Sequence, residues 1–226
     1  MREQEAVPLL HDRREAGRKL AEHLHAYNER PDVLVLALPR GGVPVGFEIA
    51  RKLNLPLDVF LVRKLGVPWH PELAMGAVAS GGFQTLNPEI IASLKVDGAQ
   101  ILHAIQREEQ LLKHREHLFR GDRPLPPLEG RTLIVVDDGL ATGSSMRAAI
   151  AALRSLNPKR IVVAVPVSSR ATWHELNALV DEGVCLATPE PFWAVGQWYM
   201  DFSPTTDEEV KELLLQANQP QGPQAV

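Results

Sequence analysis

Two adjacent aspartates, Asp137 and Asp138, stand between an apolar run, Leu133 to Val136, and a loop of small residues, Gly139, Ala141, Thr142, Gly143, Ser144 and Ser145. Carboxylates placed there can accept hydrogen bonds from the hydroxyls of a sugar. The loop residues are too small to fill space, so their backbone N–H groups can approach a bound group closely. Ser144 or Ser145 is expected to cap a helix running through Met146 to Leu156, whose first turn offers free amides and the positive end of a dipole. Such a turn binds phosphate. Acids beside a phosphate repel it unless something lies between, and a ribose 5-phosphate meets both demands, with its hydroxyls on the aspartates and its phosphate in the amide cradle. The loop lacks the lysine of a Walker A motif and the G-x-G-x-x-G spacing of a dinucleotide site. A bare Gly/Ser turn with two solvated acids would be an ordinary strand-to-helix connection. The succession of buried strand, acidic pair and Ala-Thr-Gly-Ser-Ser carries the ligand reading.

Three basic residues lie at the ends of two earlier apolar runs. Arg40 sits in Pro39-Arg40-Gly41-Gly42 after Val33–Leu38, and Arg63 and Lys64 follow Leu57–Val62. With a helix over Val45–Leu53 between them, these runs form a strand-loop-helix-strand unit. Its crossover requires parallel strands, and parallel sheets bind ligands beyond the strands' C-terminal ends. Arg40, Arg63 and Lys64 are therefore expected to meet at the edge where the aspartates sit, and a pyrophosphate would explain the convergence. Gly41 and Gly42 would let backbone amides reach the anion, and arginine can bind it through two donors. Taken singly, an Arg-Lys pair after a strand is a solvated end and PRGG a tight turn.

VVDDGLATGSSM, residues 135–146, resembles the phosphoribosyl pyrophosphate signature of type I phosphoribosyltransferases, and DDGLATGSSM is similar to the adenine phosphoribosyltransferase version. The resemblance implies that Asp137 and Asp138 hold the ribose hydroxyls, and that Ala141, Thr142, Gly143, Ser144 and Ser145 hold the 5′-phosphate. It also implies a pyrophosphate loop after the first strand, Arg40 to Gly42, often with a non-proline cis peptide at Pro39-Arg40 or Arg40-Gly41. Oxopurine members place an aspartate where this chain has Ala141, which argues against hypoxanthine or guanine. Residues 65–82, rich in glycine and proline, correspond to a flexible loop that closes over the reacting centre; there His70 or Glu72 would assist proton transfer, and Arg40 and Lys64 would serve catalysis. Phe192, Trp193 and Ala194 precede Val195-Gly196 in a segment similar to the base site of the oxopurine enzymes, with Trp193 as the base platform. The implied reaction moves 5-phosphoribosyl from phosphoribosyl pyrophosphate to a nitrogenous base. Magnesium would arrive on the substrate, with no metal held by the protein, and a homodimer follows by analogy. The alternative is a non-catalytic module that binds phosphoribosyl pyrophosphate or a nucleotide as a regulator.

The elements that must position these residues are regular. Ala16, Leu20, Leu24 and Tyr27 fall at helical spacing behind an Asp12/Glu15 capping box, predicting a helix over Asp12–Glu29. Further strands are expected at Ile161–Val165 and Val184–Ala187, with helices at Asn87–Leu94, from Ser168 or Ser169 to Val180, and from Thr206 to Leu215. The expected fold is a Rossmann-like parallel α/β sheet of about five strands flanked by helices, with a small hood at 188–205, all in one domain over residues 1–216. A charged helix at 97–120 shows apolar pairs at 104/105, 111/112 and 118/119, a seam for the body or for a second subunit. Residues 217–226 read as a disordered tail.

Hydrophobic content of 45% and charged content of 23% are ordinary for a globular chain, and the net charge of -4 gives no reason to expect nucleic acid or an acidic membrane as partner. With Cys185 alone, a disulfide framework and a cysteine metal site are excluded. MREQEAVPLL lacks an apolar signal core and no apolar run approaches membrane-spanning length, so a cytoplasmic location is expected.

Overall fold

The structure is a computed structural model that describes residues 10–219. The leader before Leu10 and the expected tail over residues 220–226 lie outside the described residues.

Five apolar runs build one parallel sheet: β1 (Val33–Ala37), β2 (Leu57–Val59), β6 (Thr132–Val136), β7 (Arg160–Val167) and β8 (Glu182–Ala187), in the order β2-β1-β6-β7-β8. Because side chains alternate along a strand, β1, β6 and β7 each feed two cores. Val33, Val35, Ala37, Ile134, Val136, Val162 and Ala164 join one core, shared with α1 (Arg13–His23), α2 (Gly42–Lys52) and α7 (Asp207–Ala217). Leu34, Leu36, Leu133, Val135, Ile161 and Val163 join the other, with Met146, Ala149 and Leu153 of α5 (Ser144–Arg154) and Leu176 of α6 (Arg170–Asn177). Burial on both faces is the reason these strands read as continuous apolar runs.

The strand order reverses between β1 and β6. From β1 the chain steps outward to β2, and it returns to lay β6 on the other side, with Ala37 paired to Val136. The loops leaving β1 and β6 therefore emerge side by side, at the switch point where open α/β sheets take ligands.

Several boundaries differ from expectation. The first helix ends at His23 and continues as a tight turn at His25–Tyr27; Asp12 caps it by accepting from Glu15 N at 2.7 Å, while the Glu15 carboxylate takes His11 N instead of closing a capping box. Neither Ser144 nor Ser145 caps α5: both lie inside its first turn, and Gly143, with φ 68°, holds the cap position. The closing helix runs to Ala217, so the start of the expected tail is helical.

The largest difference concerns residues 65–82. In place of a loop, the chain forms a second sheet of antiparallel strands: β3 (Val62–Val67), β4 (His70–Ala79) and β5 (Phe83–Leu86). The run Leu57–Val62 is accordingly cut short: β2 stops at Val59, and Phe60 and Leu61 turn the chain into β3. Pro68 and Trp69 make the hairpin turn, and Gly66 lets the Pro71 backbone approach where the register shifts. Leu65, Val67, Met75, Ala77 and Ala79 are buried at period-2 spacing, a signal weakened in the sequence by small residues and prolines.

After β5 the short helix α3 (Pro88–Leu94), capped by Asn87, leads into α4 (Gly98–Arg120), which packs on β3 and α7 of the same chain. The buried residues of α4 are Ala104, Glu108, Leu112, Phe119 and Arg120, while Leu111 is 43% exposed, so only part of the expected seam faces the body. Arg120 reaches Asp58 at 2.7 Å and the Val59 carbonyl, tying α4 to the edge of the parallel sheet. No helix among the described residues is long and apolar enough to cross a membrane.

Candidate functional site

Asp137 and Asp138 leave the end of β6 and are turned back into the protein instead of out to water. The Asp138 amide donates to Asp137 Oδ1 at 2.9 Å, and Asp138 Oδ2 accepts from Arg13 Nε at 2.9 Å. Both members of that pair are mostly covered, with 11% of the Arg13 side chain and 16% of the Asp138 side chain exposed. Burial pushes the Asp137 carboxyl well above the ordinary carboxylate range, and the neighbouring Asp138 charge pushes in the same direction. Burial also raises Asp138, and the Arg13 guanidinium opposes the rise. A desolvated acidic pair of this kind is able to accept hydroxyl hydrogen bonds from a ligand that replaces lost water.

The following loop, 139–143, is held by its outer side. Leu140 N donates to Val167 O at 2.9 Å, Thr172 Oγ1 donates to Ala141 O at 2.9 Å, and Arg147 donates to Thr142 O. With the carbonyls committed outward, the amides are left facing the site. Among the described residues none of the Ala141, Thr142, Gly143 or Ser145 amides donates to a protein acceptor. They stand at the positive end of the 11-residue α5. The positive φ of Gly143 makes this turn, and a side chain there would also crowd Thr172.

The loop after β1 packs directly on the acidic pair. Its Pro39-Arg40 peptide bond is cis, one of the two positions the family resemblance singled out. Gly41 lies so close to the Asp138 carboxylate that any side chain at Gly41 would run into it, and Gly42 opens α2 against the Val136 carbonyl. Arg40 is half exposed, with Nη1 3.8 Å from Asp207 Oδ1 at the start of α7.

The other two basic residues do not join Arg40 in one cluster. Consecutive strand residues point to opposite faces. Arg63 turns to α4, where its Nε donates to the buried Glu108 carboxylate at 2.6 Å. Lys64 faces the other way, into a groove of about 590 Å³ that it lines with Glu72, Gly76, Thr85, Asn87 and Ser144. Glu72 and Lys64 thus share a groove that reaches the small-residue loop at Ser144. His70 is exposed at the hairpin turn and is not among the groove's lining residues.

The hood segment covers the opposite side. Phe192 is partly buried and stacks on Trp198, ring centres 6.2 Å apart. Trp193 is 81% exposed, and the Ala194 amide already donates to Gln197 Oε1 at 3.2 Å. Val195 lies over Gly139, so the hood touches the acidic loop itself. Tyr199 is buried and donates its hydroxyl to the Asp138 carbonyl at 2.6 Å.

Arg13, Tyr199, Arg147 and Thr172 surround the site without having been singled out from the sequence. Arg13 is the first residue of α1 and lies 125 positions from its partner; nothing local distinguishes it from the neighbouring Arg14. Arg147 had a weak signal, since it stands four residues past the loop glycine on α5.

This arrangement defines an α/β protein whose switch-point edge joins an acidic pair, an amide-lined turn and a basic glycine loop. Residues 9–203 match the "Phosphoribosyl transferase domain" family, and the chain belongs to that family. It is 43% identical over 213 residues, 94% of its length, to the Mycobacterium tuberculosis protein Rv0571c, whose name assigns it provisionally to the phosphoribosyl transferases. The chain spans 48% of that relative, about half its length. Among solved structures, TT1426 from Thermus thermophilus superposes with a TM-score of 0.80 at 42% identity, covering 92% of this chain and 98% of that one. A uracil phosphoribosyltransferase of Lactobacillus gasseri is 38% identical over 139 residues, 57% of this chain and 61% of that protein.

Proposed function

We propose that the chain transfers 5-phosphoribosyl from phosphoribosyl pyrophosphate to a ring nitrogen of a small base, releasing pyrophosphate. One observation carries this reading: the glycine loop at Gly41 abuts the Asp138 carboxylate while the amide turn at 141–145 follows on the same loop, so sites for two phosphate groups flank one for a diol. Asp137 and Asp138 accept the ribose hydroxyls, the amides at 141–145 hold the 5′-phosphate, and Arg40 with the Gly41 amide holds the pyrophosphate, the Gly42 amide being bonded instead to the Leu38 carbonyl at 3.1 Å. As the bond from C1 to pyrophosphate breaks, the nearby carboxylates favour the cation-like sugar electrostatically. The bond from C1 to the acceptor nitrogen forms on the opposite face. Magnesium belongs to the substrate, whose phosphate oxygens suit a hard octahedral ion.

Lys64 and Glu72 approach from the hairpin groove. Lys64 neutralises charge on the departing pyrophosphate, and Glu72 is the group placed to accept the acceptor's proton. Trp193 is the platform on which the base stacks, its exposed face available to a planar ring. Ala141 leaves no carboxylate to pair with an oxopurine ring nitrogen. Uracil is the first acceptor to try, given the partial similarity to a uracil phosphoribosyltransferase.

The test is calorimetric titration of the protein with phosphoribosyl pyrophosphate and magnesium, followed by pyrophosphate release with a panel of pyrimidine and purine acceptors. Binding and acceptor-dependent release support the proposal. Absence of binding by the parent protein removes it. Binding without release by any acceptor leaves the non-catalytic sensor in its place.

A further inference from the structure

Asp138 is gripped from two directions by segments far away in sequence. Arg13 comes from the first turn of α1, and Tyr199 comes from the hood. The two segments are zipped together: Leu10 N donates to Trp198 O at 3.0 Å, Met200 N to Leu10 O at 2.8 Å, and Asp201 N to His11 O at 2.8 Å. Within this clamp the Arg13 guanidinium makes three contacts. Its Nε meets Asp138 Oδ2, its Nη1 donates to Ser203 O at 2.8 Å, and its face lies 3.9 Å from the centre of the Phe202 ring. Phe202 in turn packs on Tyr199, ring centres 5.0 Å apart. A planar cation with a ring on one face and acceptors along its edges is well fixed, in a way the flexible ammonium of lysine is not.

We infer that Arg13 is a positioning residue for the ribose site, holding the Asp138 carboxylate by Oδ2 so that Oδ1 is presented, ionised, to a sugar hydroxyl. Arg13 takes Oδ2, so the pairing itself leaves Oδ1 as the oxygen to meet the sugar. The inference rests on the phosphoribosyl reading above and adds to it a residue that touches no substrate.

The charge balance around Asp138 explains the need. Asp137 faces it from the same loop, and its carboxyl, which burial keeps protonated to higher pH, hydrogen-bonds the Asp138 carboxylate. Tyr199 faces it from the hood with its hydroxyl on the Asp138 carbonyl, and burial raises the Tyr199 hydroxyl far out of the working range. Gly41 faces it from the loop after β1 and brings no charge of its own, though Arg40 adjoins. From α1 come the Arg13 cation and, one residue before it, the anionic cap Asp12. Arg13 is thus the one cation in direct contact with the carboxylate among the described residues. Without it, the strongest influence opposing burial is lost, and Asp138 would keep its proton to a higher pH. A protonated Asp138 accepts hydrogen bonds poorly, so ligand affinity would be lost as pH falls, beginning at a higher pH than in the parent.

The experiment is titration with phosphoribosyl pyrophosphate and magnesium from about pH 5 to about pH 8.5, on the parent, Arg13→Gln and Arg13→Lys. The acid limb of affinity should move up by about one pH unit or more in Arg13→Gln, the size expected from removing an adjacent opposite charge. Affinity should approach the parent's at the alkaline end, and Arg13→Lys should restore most of the limb. A folded Arg13→Gln variant with the parent's limb, or one weakened by the same factor at every pH, overturns the inference and leaves Arg13 a structural tie. If Arg13→Gln does not fold, carbon-13 NMR of the parent's aspartate carboxyls decides: Asp138 should ionise at a lower pH than Asp137, and the reverse order overturns the inference. Failure of the parent to bind at any pH is a different result, because it removes the phosphoribosyl reading itself.

Discussion

The edge formed by the ends of β1 and β6 and the groove under the β3–β5 sheet both border the candidate site, yet they are built on opposite plans. At the edge, each set of polar residues leaves a buried strand and enters a helix within a few positions. Strand, loop and helix are consecutive in the chain, so the chemistry is concentrated in short motifs. In the groove, what a residue can reach is set by which face of a strand it occupies. Arg63 and Lys64 are neighbours in sequence, but one is bound to Glu108 on α4 and the other lines the groove with Glu72. A parallel α/β edge gathers its loops at one end whatever their exact register, whereas an antiparallel hairpin sorts its side chains by register.

The largest effect is expected at the edge. Asp137→Asn together with Asp138→Asn should weaken phosphoribosyl pyrophosphate binding by about 100-fold or more, since two charge-assisted contacts of roughly 1.5–3 kcal/mol each are lost. Calorimetry at neutral pH measures this, and affinity within a few-fold of the parent's would remove the ribose from the acidic pair.

Arg40→Ala comes next. Turnover should fall about 100-fold, as when a single anion-stabilising donor is removed elsewhere. Ribose 5-phosphate, which lacks the pyrophosphate, should bind the variant within about threefold of the parent. An equal loss for both ligands would place Arg40 outside the pyrophosphate contact.

The two faces of the hairpin can be separated directly. Lys64→Ala should lower kcat/KM by about tenfold while leaving the melting temperature unchanged. Arg63→Ala should leave kcat/KM within about twofold and cost about 1–2 kcal/mol of stability, because Glu108 stays buried with Arg107 as its one remaining cation among the described residues. Interchanged phenotypes would mean that the hairpin is read in the wrong register.

The smallest expected effect is on stability, and its sign is the point. The folded Asp137 carboxyl holds its proton above the ordinary carboxylate range, so the folded state binds more protons than the unfolded one. Stability therefore falls as pH rises through that interval. Asp137→Asn removes the ionisation and should melt above the parent at pH 8 but level with it near pH 4. A variant less stable at alkaline pH would show that the Asp137 charge is well solvated or paired.

Most of the parallel sheet could be read from the chain because strands buried on both faces are continuous apolar runs, as at Val33–Ala37 and Thr132–Val136. The acidic pair and its loop were legible for a related reason: Asp137, Asp138 and residues 141–145 are contiguous, and their small size has no obvious use in a core. The β3–β5 sheet was not legible. Its apolar positions are largely Ala and Val, and Gly66, Pro68 and Pro71 resemble loop punctuation although they shape a turn and a register shift. Boundaries failed locally too: Gly143, with its positive φ, took the cap position that Ser144 and Ser145 were expected to fill.

By itself, the sequence determined the five apolar runs, the helices between them and the small-residue loop beyond the aspartates, because these depend on periodicity and residue size within a few positions. Only the tertiary structure decided which charges face one another. Arg13 and not Arg14 reaches Asp138, Arg63 is taken by Glu108, and Tyr199 ends on the Asp138 carbonyl. Such pairings depend on helix rotation, strand register and the meeting of chain segments 45 to 125 residues apart. Local pattern carries no record of them, because electrostatic contacts are set by distance in space.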